Sequence, residues 1–406
     1  ELLLLKRVAE SGRKGVFILP FVSVAREKMY YLQKMFGIAG IRVEGFMGSH
    51  NPPGGLKATD IAVCTIEKAN NLVNRLMEDK RLNELSIIVV DELHMLGDSH
   101  RGYLLELLLT KVMFVSTHCS LTKKDENGIQ IIGMSATLPN LKLLAGWLDS
   151  ALYNTDFRPV PLTERVKIGR ALYDPTMNKV RELDPLLTVK DDSDHLIQLC
   201  LETVLEGFSV LVFCPTKAWC EKMAECVAKE FFRIGKADSQ YPPELGRKLR
   251  DSLDSEGIRR VINALHKCPV GLDDVLSRSI SFGAAFHHAG LTFDERDIIE
   301  GGFRTGSIRV LIATSTLSSG VNLPARRVII RSPVFGGTIL DTLTYKQMIG
   351  RAGRKGVDTE GESILICREG ERSKAQVLMS STLPPITSCL QHDASLTSSM
   401  KRAILE

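Results

Sequence analysis

The sequence predicts an α/β protein with two lobes of similar plan, each built around a parallel sheet. Strand-like runs alternate with helical patterns along the 406 residues, which is typical of βαβ units. The runs are short, apolar and rich in β-branched residues, and residues 87–90, for example, are Ile-Ile-Val-Val. Such runs are typical of strands that are buried on both faces, as they are in parallel sheets.

The strand-like runs fall into two sets. The first set is GVFILPF, IAVCTIE, IIVVDE and QIIGMSAT, and the second is SVLVFCPT, GAAFHHAG, RVLIATST, RVIIRSPV and ESILIC. The segment between them, residues 156–193, contains prolines and charges and has a weaker pattern. We therefore expect a first lobe at 1–155, a connector at 156–193, a second lobe at 194–372 with a helical insertion at about 238–279, and a loop-like linker from 373 onward.

The composition is that of a soluble globular protein, with 44% hydrophobic and 25% charged residues. The net charge of +4 permits a nucleic-acid partner without arguing for one. Nine cysteines are spread along the chain without a disulfide pattern or a metal-ligand spacing, so we expect reduced thiols. No apolar run approaches the ~18 residues needed to span a bilayer, and we expect no membrane partner.

Two adjacent carboxylates, Asp91 and Glu92, follow the buried run at residues 87–90. Carboxylates are almost never buried unless they are paired or hold a metal, and parallel sheets bind ligands beyond the carboxyl ends of their strands. In a nucleoside triphosphatase, Asp91 would hold Mg²⁺, directly or through water, and Glu92 would orient and deprotonate the attacking water. The alternative is an acidic turn whose charges favour a helix N-terminus.

A second strand-like run ends in GMSATLPN, which places Ser135 and Thr137 at a strand end. Their small hydroxyl groups are able to bond a neighbouring carboxylate or an imidazole such as that of His94. The alternative is a helix N-cap, with Pro139 and Asn140 as turn residues, and both interpretations are compatible.

Two arginines, Arg351 and Arg354, lie in the string YKQMIGRAGRKG. Because they are three residues apart, they would share one face of a helix, with Gln347 one turn back on the same side. Paired guanidinium groups suit the charge that develops on a transferring γ-phosphoryl group. The alternative is a solvated basic helix end, which the glycines beside both arginines make less attractive.

Hydroxyl-rich turns follow several strands, and such turns suit a phosphate of a nucleotide or of a nucleic-acid backbone. The longest contains residues 314–320, and the paired histidines of FHHAGL lie at a similar position, where a metal is improbable because no further ligand is suitably spaced. Several such turns on one sheet edge would make a track for a sugar–phosphate backbone. The residues that we predict to contact nucleic acid are Pro20, Thr65, Thr216, Lys217, His288, Thr314 and Ser315.

In this order, the strings LPFVSVAREK, TIEK, DELH, SAT, FCPTK, HHAGL, ATSTLSSGVNLPA and QMIGRAGRKG resemble the motif series of the superfamily 2 helicases. The forms DELH, GVNLPA and QMIGRAGRKG look like those of the DNA-repair helicases that carry winged-helix and ratchet domains. Within that group, the longer strings around DELH, HHAGL and GVNLPA are similar to the helicase-like part of the DNA polymerase theta family. The resemblance covers residues 1 to about 390 and weakens in the connector and in the helical insertion.

The resemblance implies two tandem RecA-like lobes that close on ATP and Mg²⁺, with single-stranded DNA or single-stranded overhangs across their tops. It implies that Asp91 is the Mg²⁺-linked carboxylate and Glu92 the base. It also implies a truncated winged-helix domain that begins within residues 373–406. The residues that would couple the nucleotide site to DNA are His94, Ser135 and Thr137. The residues that would reach the phosphates are Gln347, Arg351 and Arg354, with Gly320 nearby. The residues that would contact the DNA backbone include Thr65, Thr216 and Thr314.

One departure from the family pattern is the absence of the glycine-rich P-loop that ends in Gly-Lys-Ser or Gly-Lys-Thr. The chain begins within a helical pattern and ends as another begins, so we interpret it as a piece of a longer protein and expect the loop just upstream of Glu1. We therefore expect the parent protein to be a DNA-stimulated ATPase, and this chain alone to hydrolyse ATP poorly.

The function that the resemblance implies is that of an ATP-dependent helicase or translocase acting on single-stranded DNA in double-strand-break repair in the nucleus. Three alternatives stay open: a closely related stand-alone repair helicase, an RNA helicase, and a nucleic-acid annealing scaffold that does not need its ATPase. Protein partners are not indicated by any residue pattern.

Overall fold

The computed structural model divides the chain into two compact units, Glu1–Thr155 together with Thr382–Glu406, and Asp156–Ser381. Four of the residues discussed above, Thr137, Ser318, Ser319 and Gly320, lie outside the part of the chain that the structure describes. The described residues are 1–98, 100–120 (backbone only for 117–120), 128–136, 138–155, 157–190, 192–236, 241–269, 271–317, 323–390, 400, 401 and 404.

The first unit contains a parallel sheet of five strands in the order β2-β3-β1-β4-β5. Its strands are β1 (Lys14–Leu19), β2 (Val43–Phe46), β3 (Ile61–Thr65), β4 (Leu85–Val90) and β5 (Gln130–Gly133). Its helices are α1 (Leu2–Ser11), α2 (Val22–Phe36), α3 (Ile66–Glu78), α4 (Gly102–Ser120) and α5 (Leu141–Trp147), and its 3₁₀ helices are Gly37–Ala39, Gly55–Ala58, Leu82–Glu84 and Leu93–Gly97.

The strand register of the first unit aligns the ends of its central strands. Every residue of β4 is buried, and Val90 lies beside Ile18 of β1 and Gly133 of β5. Leu19, which ends β1, pairs with Thr65, which ends β3. Because the strands are parallel, the residues that follow them come out at one edge of the sheet. The segments that contain Pro20, Thr65, Asp91 and Ser135 therefore all begin at this edge.

The second unit contains a sheet of eight strands in the order β10-β11-β9-β12-β15-β6-β7-β8. Neighbouring strands are parallel from β10 to β6 and antiparallel from β6 to β8. These strands are β6 (Leu162–Ile168), β7 (Ala171–Tyr173), β8 (Lys179–Glu182), β9 (Val210–Phe213), β10 (Ala284–His287), β11 (Val310–Ala313), β12 (Arg327–Ile330) and β15 (Gly361–Cys367), and the short strands β13 (Val334–Phe335) and β14 (Thr338–Ile339) form a separate hairpin.

Helix α6 of the second unit is buried along nearly its whole length because seven of its ten residues, LIQLCLETVL, are apolar. Among the described residues no helix has the length and apolar character that crossing a bilayer requires. The helices are α6 (Leu196–Leu205), α7 (Lys217–Gly235), α8 (Pro243–Asp251), α9 (Ser255–His266), α10 (Asp274–Ile280), α11 (Phe293–Arg304), α12 (Thr342–Gly350) and α13 (Arg372–Ser380), with 3₁₀ helices at Pro185–Leu187 and Glu369–Glu371.

The α/β class with parallel sheets in two lobes is confirmed. The segment at 156–193, which we expected to be a connector, contributes β6, β7 and β8 to the second sheet. Its short strands alternate with turns and charges, so the sequence pattern there is weak, but pairing of β6 with β15 along seven residues supplies the missing backbone hydrogen bonds. The predicted insertion at about 238–279 contains α8, α9 and most of α10.

Candidate nucleotide-binding and nucleic-acid-binding residues

Asp91 stands directly beyond β4, at the carboxyl edge of the first sheet. Its backbone N–H donates to the carbonyl of Ile18 (2.9 Å), and its Oδ1 accepts a hydrogen bond from the backbone N–H of Glu92 (3.0 Å). Burial raises the pKa of the Asp91 carboxyl above its ordinary value, while the Glu92 N–H and the charge of Lys28 oppose that rise. Asp91 is thus a half-buried carboxylate at the edge where parallel sheets bind ligands.

The surroundings of Asp91 bear on which metal it suits. Among the described residues, no three His, Cys, Asp or Glu side chains form a cluster that by itself could hold a metal ion. Mg²⁺ is commonly bound by one or two carboxylates, waters and substrate phosphate oxygens rather than by a full set of protein ligands. The single carboxylate of Asp91 therefore fits a Mg²⁺ ion that arrives with a triphosphate.

Glu92 adopts a left-handed backbone conformation, with φ 56° and ψ 48°. A non-glycine residue in this region costs on the order of 1–3 kcal/mol, and such residues cluster at functional sites. Glu92 precedes the 3₁₀ helix Leu93–Gly97, but its side chain makes no capping hydrogen bond. The alternative, that the charges of this turn favour a helix N-terminus, requires no such bond and stays beside the catalytic interpretation.

His94 connects Glu92 to the loop after β5. Its Nδ1 lies 3.2 Å from Oε2 of Glu92 and 3.3 Å from the backbone nitrogen of Ala136, and its side chain is only 2% exposed. Burial lowers the pKa of His94, so its neutral form is favoured. Nε2 is buried and has no hydrogen-bond partner among the described residues.

The loop after β5 is joined to His94 differently from our expectation. The expected partner was the hydroxyl of Ser135, but Ser135 is exposed, and the contact is made by the backbone N–H of Ala136. A backbone N–H serves here because Ala136 follows a strand end and has no neighbouring strand to receive its hydrogen bond. Thr137, the other predicted residue of this loop, lies outside the described residues.

Asn140 occupies the N-cap position of α5 but makes no side-chain capping hydrogen bond. Its side-chain Nδ2 instead donates to the carbonyl of Ile386 (2.7 Å), and its Oδ1 accepts from the backbone N–H of Ile386 (3.1 Å). The predicted turn at Pro139 and Asn140 is present, and the amide side chain of Asn140 finds its backbone partner far along the chain.

In the second unit, the helix that was expected to carry both arginines ends too early to do so. Helix α12 stops at Gly350, so Arg351 is its C-cap and Arg354 lies beyond it, while Gln347 is on the helix. The chain turns because Gly353 has φ +91° and donates its N–H to the carbonyl of Ala325 (2.7 Å). The expectation that Arg351 and Arg354 share one helical face is therefore wrong.

Arg354 is held by a neighbouring carboxylate. Its Nε and Nη2 donate to the two carboxylate oxygens of Asp358 (3.0 and 3.1 Å), and its backbone N–H donates to Oδ2 of the same residue (2.7 Å). The Asp358 side chain is fully buried and that of Arg354 is 19% exposed. This bidentate pair fixes the guanidinium plane, so Arg354 is not a freely solvated basic residue.

The strand register of the second unit brings several predicted nucleic-acid contacts to one edge. Ala313 lies beside His287 and Phe213, so the turns that follow β11, β10 and β9 emerge together. The side chains of Thr216 and Lys217 are exposed there, and Thr216 caps α7 by accepting the N–H of Trp219 (3.3 Å). The predicted residues at this edge are Thr216, Lys217, His288, Thr314 and Ser315.

Three of the predicted contacts have little exposed side chain. The His288 imidazole is buried, with Nε2 3.0 Å from Oε1 of Glu221, and burial lowers its pKa. Thr65 is 4% exposed, and Pro20 is buried with its carbonyl accepting a hydrogen bond from Arg101 (2.6 Å). At these positions backbone groups are better placed than side chains to meet a ligand.

Two residues at the sheet edges were missed by sequence reasoning. Arg101 contacts the Pro20 carbonyl and stacks on the Phe21 ring (4.8 Å to the centroid), which no local pattern around HRGYLLELL signals. Trp219 is 40% exposed, and the Arg331 guanidinium lies 3.9 Å from its ring centroid. The signal for Trp219 was an aromatic residue two positions after Lys217 in CPTKAWC.

Comparison with known families identifies the chain's class. The DEAD/DEAH box helicase family matches residues 1–144, and the helicase conserved C-terminal domain matches residues 248–356. The first match contains Asp91, Glu92 and His94, and the second contains Arg351 and Arg354. The chain contains two helicase domains, a DEAD/DEAH box helicase domain and a helicase conserved C-terminal domain. A helix-turn-helix domain family matches residues 361–406, although 361–367 form strand β15 of the second sheet.

The chain is also similar to whole proteins that are named as helicases or as DNA polymerase theta. It is 57% identical to mouse DNA polymerase theta over 100% of the chain and 16% of that protein. It is 39% identical to the human helicase POLQ-like over 97% of the chain and 34% of that protein. It is 32% identical to the ATP-dependent DNA helicase Hel308 of Methanococcus vannielii over 94% of the chain and 48% of that protein. The chain thus spans less than half of each of these relatives. The predicted fold, two tandem RecA-like lobes and the start of a C-terminal helical region, is confirmed.

Proposed function

We propose that this helicase chain is the motor of an ATP-dependent helicase or translocase that moves along single-stranded DNA in double-strand-break repair. The observation that supports the proposal is a pair of contacts made by His94, one with Glu92 and one with Ala136. It ties the carboxylate expected to act on ATP to the loop expected to respond to DNA. Glu92 also has a left-handed backbone conformation, which is enriched at functional sites.

The residues of the first unit suit hydrolysis of a nucleoside triphosphate. Bound Mg²⁺ would neutralise charge on the phosphates, and Asp91 would hold it. Glu92 would orient the attacking water and accept its proton. Ser135 and Thr137 would line the nucleotide side of the coupling loop, with His94 between that loop and Glu92.

The residues of the second unit suit stabilisation of phosphate charge. Arg354 is pre-oriented by Asp358, and a fixed guanidinium loses little freedom when it meets a phosphate. Arg351 and Gln347 would contribute from the end of α12, and Gly320 from the loop after β11. After hydrolysis the charge of the γ-phosphate, which holds these groups, would be lost, and the contacts of the protein with DNA would change.

The residues at the carboxyl edge of the second sheet suit a nucleic-acid backbone. Thr216, Lys217, Thr314 and Ser315 offer hydroxyl groups, an ammonium group and backbone N–H groups, which are the groups that proteins commonly place on phosphates. Trp219 adds an aromatic surface on which a base can stack. Thr65 and His288 would contribute mainly backbone groups, whereas Pro20, which has no N–H and whose carbonyl accepts from Arg101, would shape the turn. Binding is therefore expected to be independent of sequence and sensitive to salt.

DNA, DNA repair and a nuclear location are proposed because several relatives are named DNA polymerase theta or DNA helicase. The residues described above do not separate DNA from RNA, so the preference for DNA over an RNA helicase rests on these relatives. Stimulation of ATP hydrolysis by single-stranded DNA and by RNA of the same sequence, measured side by side, separates the two.

The test of the motor is Glu92→Gln in the natural full-length protein. Glutamine keeps the size of the side chain but removes the base, so DNA-stimulated ATP hydrolysis should fall by ~10²- to 10⁴-fold while ATP still binds. Glu78→Gln, at the exposed end of α3, is the matched control and should hydrolyse ATP at the wild-type rate. Hydrolysis at the wild-type rate in Glu92→Gln would overturn the proposal, and retained repair without hydrolysis would favour an annealing scaffold.

We also infer that these 406 residues hydrolyse ATP poorly on their own. They contain no Gly-Lys-Ser or Gly-Lys-Thr, so none of them supplies the lysine and the hydroxyl that cradle the β- and γ-phosphates. The experiment compares ATP turnover by this chain with turnover by a version extended upstream through such a loop. Equal DNA-stimulated rates would contradict the inference.

A further inference from the structure

Residues 382–390, which we call the return segment, lie on the first unit although they follow the last helix of the second. Helix α13 ends at Ser380, the second unit ends at Ser381, and Thr382 begins the return to the first unit. The chain therefore passes between the units twice, once after Thr155 and once after Ser381.

The return segment is tied to Asn140 by two hydrogen bonds that use both polar atoms of the side chain. Nδ2 of Asn140 donates to the Ile386 carbonyl (2.7 Å), and the Ile386 N–H donates to Oδ1 (3.1 Å). Only an amide side chain offers a donor and an acceptor side by side to one residue's backbone, as a neighbouring strand does. Asn140 lies five residues beyond Ser135, in the loop that His94 contacts.

A second set of bonds ties the return segment to the other motif. The Glu106 carboxylate accepts the backbone N–H of Cys389 (2.9 Å) and the hydroxyl of Ser388. The Cys389 thiol lies 3.2 Å from the carbonyl of Leu96, in the 3₁₀ helix that follows Glu92. The return segment therefore contacts both loops that His94 joins, at points further along each loop.

The packing beneath these bonds is close. A Cβ placed on Gly102 would lie 2.3 Å from the Leu96 carbonyl oxygen and 3.0 Å from the Cys389 sulfur. A Cβ on Gly97 would lie 3.7 Å from Cγ1 of Ile386. The return segment therefore packs closely against the first unit. A simple connecting segment would not need such packing, since connecting segments usually run over the surface with few partners.

We propose that the return segment is a brace that holds the loop after Glu92 and the loop after Ser135 in one arrangement, and that Asn140 and Glu106 are positioning residues for the coupling of ATP hydrolysis to DNA. The coupling part rests on the proposed function; the docking part does not. Ile386 lies five steps along the chain from Ser381, and five extended steps reach at most ~18 Å, so a larger displacement of Ser381 must break the Asn140 contact. The brace thereby links the end of the second unit to both motif loops.

The thiol of Cys389 provides a readout of docking that does not depend on activity. Cys389 is half-buried, and burial raises its pKa, so the docked thiol should react slowly with iodoacetamide. The experiment measures alkylation of Cys389 by peptide mass spectrometry in the natural full-length protein. The variants are Asn140→Leu, which keeps the side-chain size, and Ile386→Pro, which removes the N–H donor on the segment itself.

Both variants should accelerate alkylation of Cys389 by roughly 10-fold or more, because each removes at least one hydrogen bond that holds the segment. Their effects should be less than additive in the double variant, since they break the same contact. Asn83→Leu, at an exposed asparagine, is the control and should react like the wild type. Unchanged alkylation in both variants, or fast alkylation in the wild type, would overturn the docking.

The second readout is the ratio of DNA-stimulated to basal ATP turnover, which a linker without a coupling role would not move. This ratio should fall several-fold in Asn140→Leu and Ile386→Pro and should stay at the wild-type value in Asn83→Leu. Faster alkylation with an unchanged ratio would overturn the coupling role. A wild-type protein without any DNA-stimulated turnover would instead refute the proposed function, and the alkylation rates would still decide the docking.

Discussion

Nδ1 of His94 lies 3.2 Å from the Oε2 of Glu92 and 3.3 Å from the backbone nitrogen of Ala136, so one buried imidazole touches both motif loops of the first unit. Burial favours its neutral form, in which Nδ1 either accepts the Ala136 N–H or donates its proton to Glu92, according to the tautomer. A shift of either loop is thereby felt by the other.

His94→Ala should uncouple ATP hydrolysis from DNA. Without the imidazole, Glu92 and Ala136 lose their common contact, so the DNA-stimulated rate should approach the basal rate while ATP affinity changes little. The measurement is ATP turnover by the full-length protein with and without single-stranded DNA. His266→Ala, at the exposed end of α9, is the control, and undiminished DNA stimulation in His94→Ala would refute the role.

Asp358→Ala should lower both stability and turnover. Removing the fully buried carboxylate leaves the largely buried Arg354 guanidinium without its bidentate partner, at a cost of about 2 kcal/mol in unfolding free energy. The freed arginine should also reduce kcat more than it changes KM, because its orientation matters most in the transition state. Asp251→Ala, an exposed aspartate in the same unit, should change neither quantity.

Gly353→Ala should destabilise the second unit more than Gly356→Ala does. Both glycines have a positive φ, +91° and +77°, but a Cβ on Gly353 would lie 2.5 Å from Cγ1 of Val160, while a Cβ on Gly356 would meet nothing within 4 Å. We expect losses of about 2–4 kcal/mol at Gly353 and about 1 kcal/mol at Gly356.

Tryptophan fluorescence can measure these losses within one unit. The chain has two tryptophans, and a Trp147→Phe background leaves Trp219 of the second unit as the reporter of urea unfolding. Equal losses of unfolding free energy in the two glycine variants would mean that the close approach of Val160 is not the reason for a glycine at position 353.

Trp219→Ala should weaken binding of single-stranded DNA without changing its salt dependence. Loss of one stacked base costs ~1–3 kcal/mol, whereas stacking releases no counterions. Lys217→Ala should instead lower the slope of log affinity against log salt by about 0.7. Trp147→Ala in the first unit is the control for tryptophan loss, and a changed salt slope in Trp219→Ala would contradict the stacking role.

The stability of the second unit should fall as the pH rises through 6 because of Asp192. Burial raises the pKa of this carboxyl from 3.8 to about 6, and its Oδ2 accepts the N–H of Gln198 (2.9 Å). The folded state therefore binds the proton more tightly than the unfolded chain does. The stability that the protonated Asp192 carboxyl contributes is fully present below pH 3.8 and is lost as the pH rises through 6.

Asp192→Asn should remove this pH dependence. Asparagine keeps an acceptor oxygen for Gln198 but carries no charge to bury, so unfolding free energy above pH 6 should rise by about 1–2 kcal/mol. Urea unfolding followed by Trp219 fluorescence at several pH values measures the effect. Asp341→Asn, at the exposed N-cap of α12, should leave the pH profile as it is in the wild type.

Local patterns in the chain were enough to predict the two parallel sheets, the strand end that presents Asp91 and Glu92, and the turns that carry Thr216 and Thr314. Strand and helix periods repeat every few residues, and parallel strands place their carboxyl ends at one edge whatever the rest of the chain does. The motif order then predicted the helicase class, which the family matches bear out.

Contacts between distant residues were beyond the reach of such patterns. Asn140 bonds to a residue 246 positions away, β6 pairs with a strand that lies almost 200 residues later, and α12 ends at Gly350 because Gly353 turns back to Ala325. A short stretch of sequence encodes how its own backbone folds, but a partner for an amide or a strand edge is chosen only when distant parts of the chain pack together. The contacts of the return segment with Asn140 and Glu106 depend on such packing, whereas Arg354 is held by a carboxylate only four residues later.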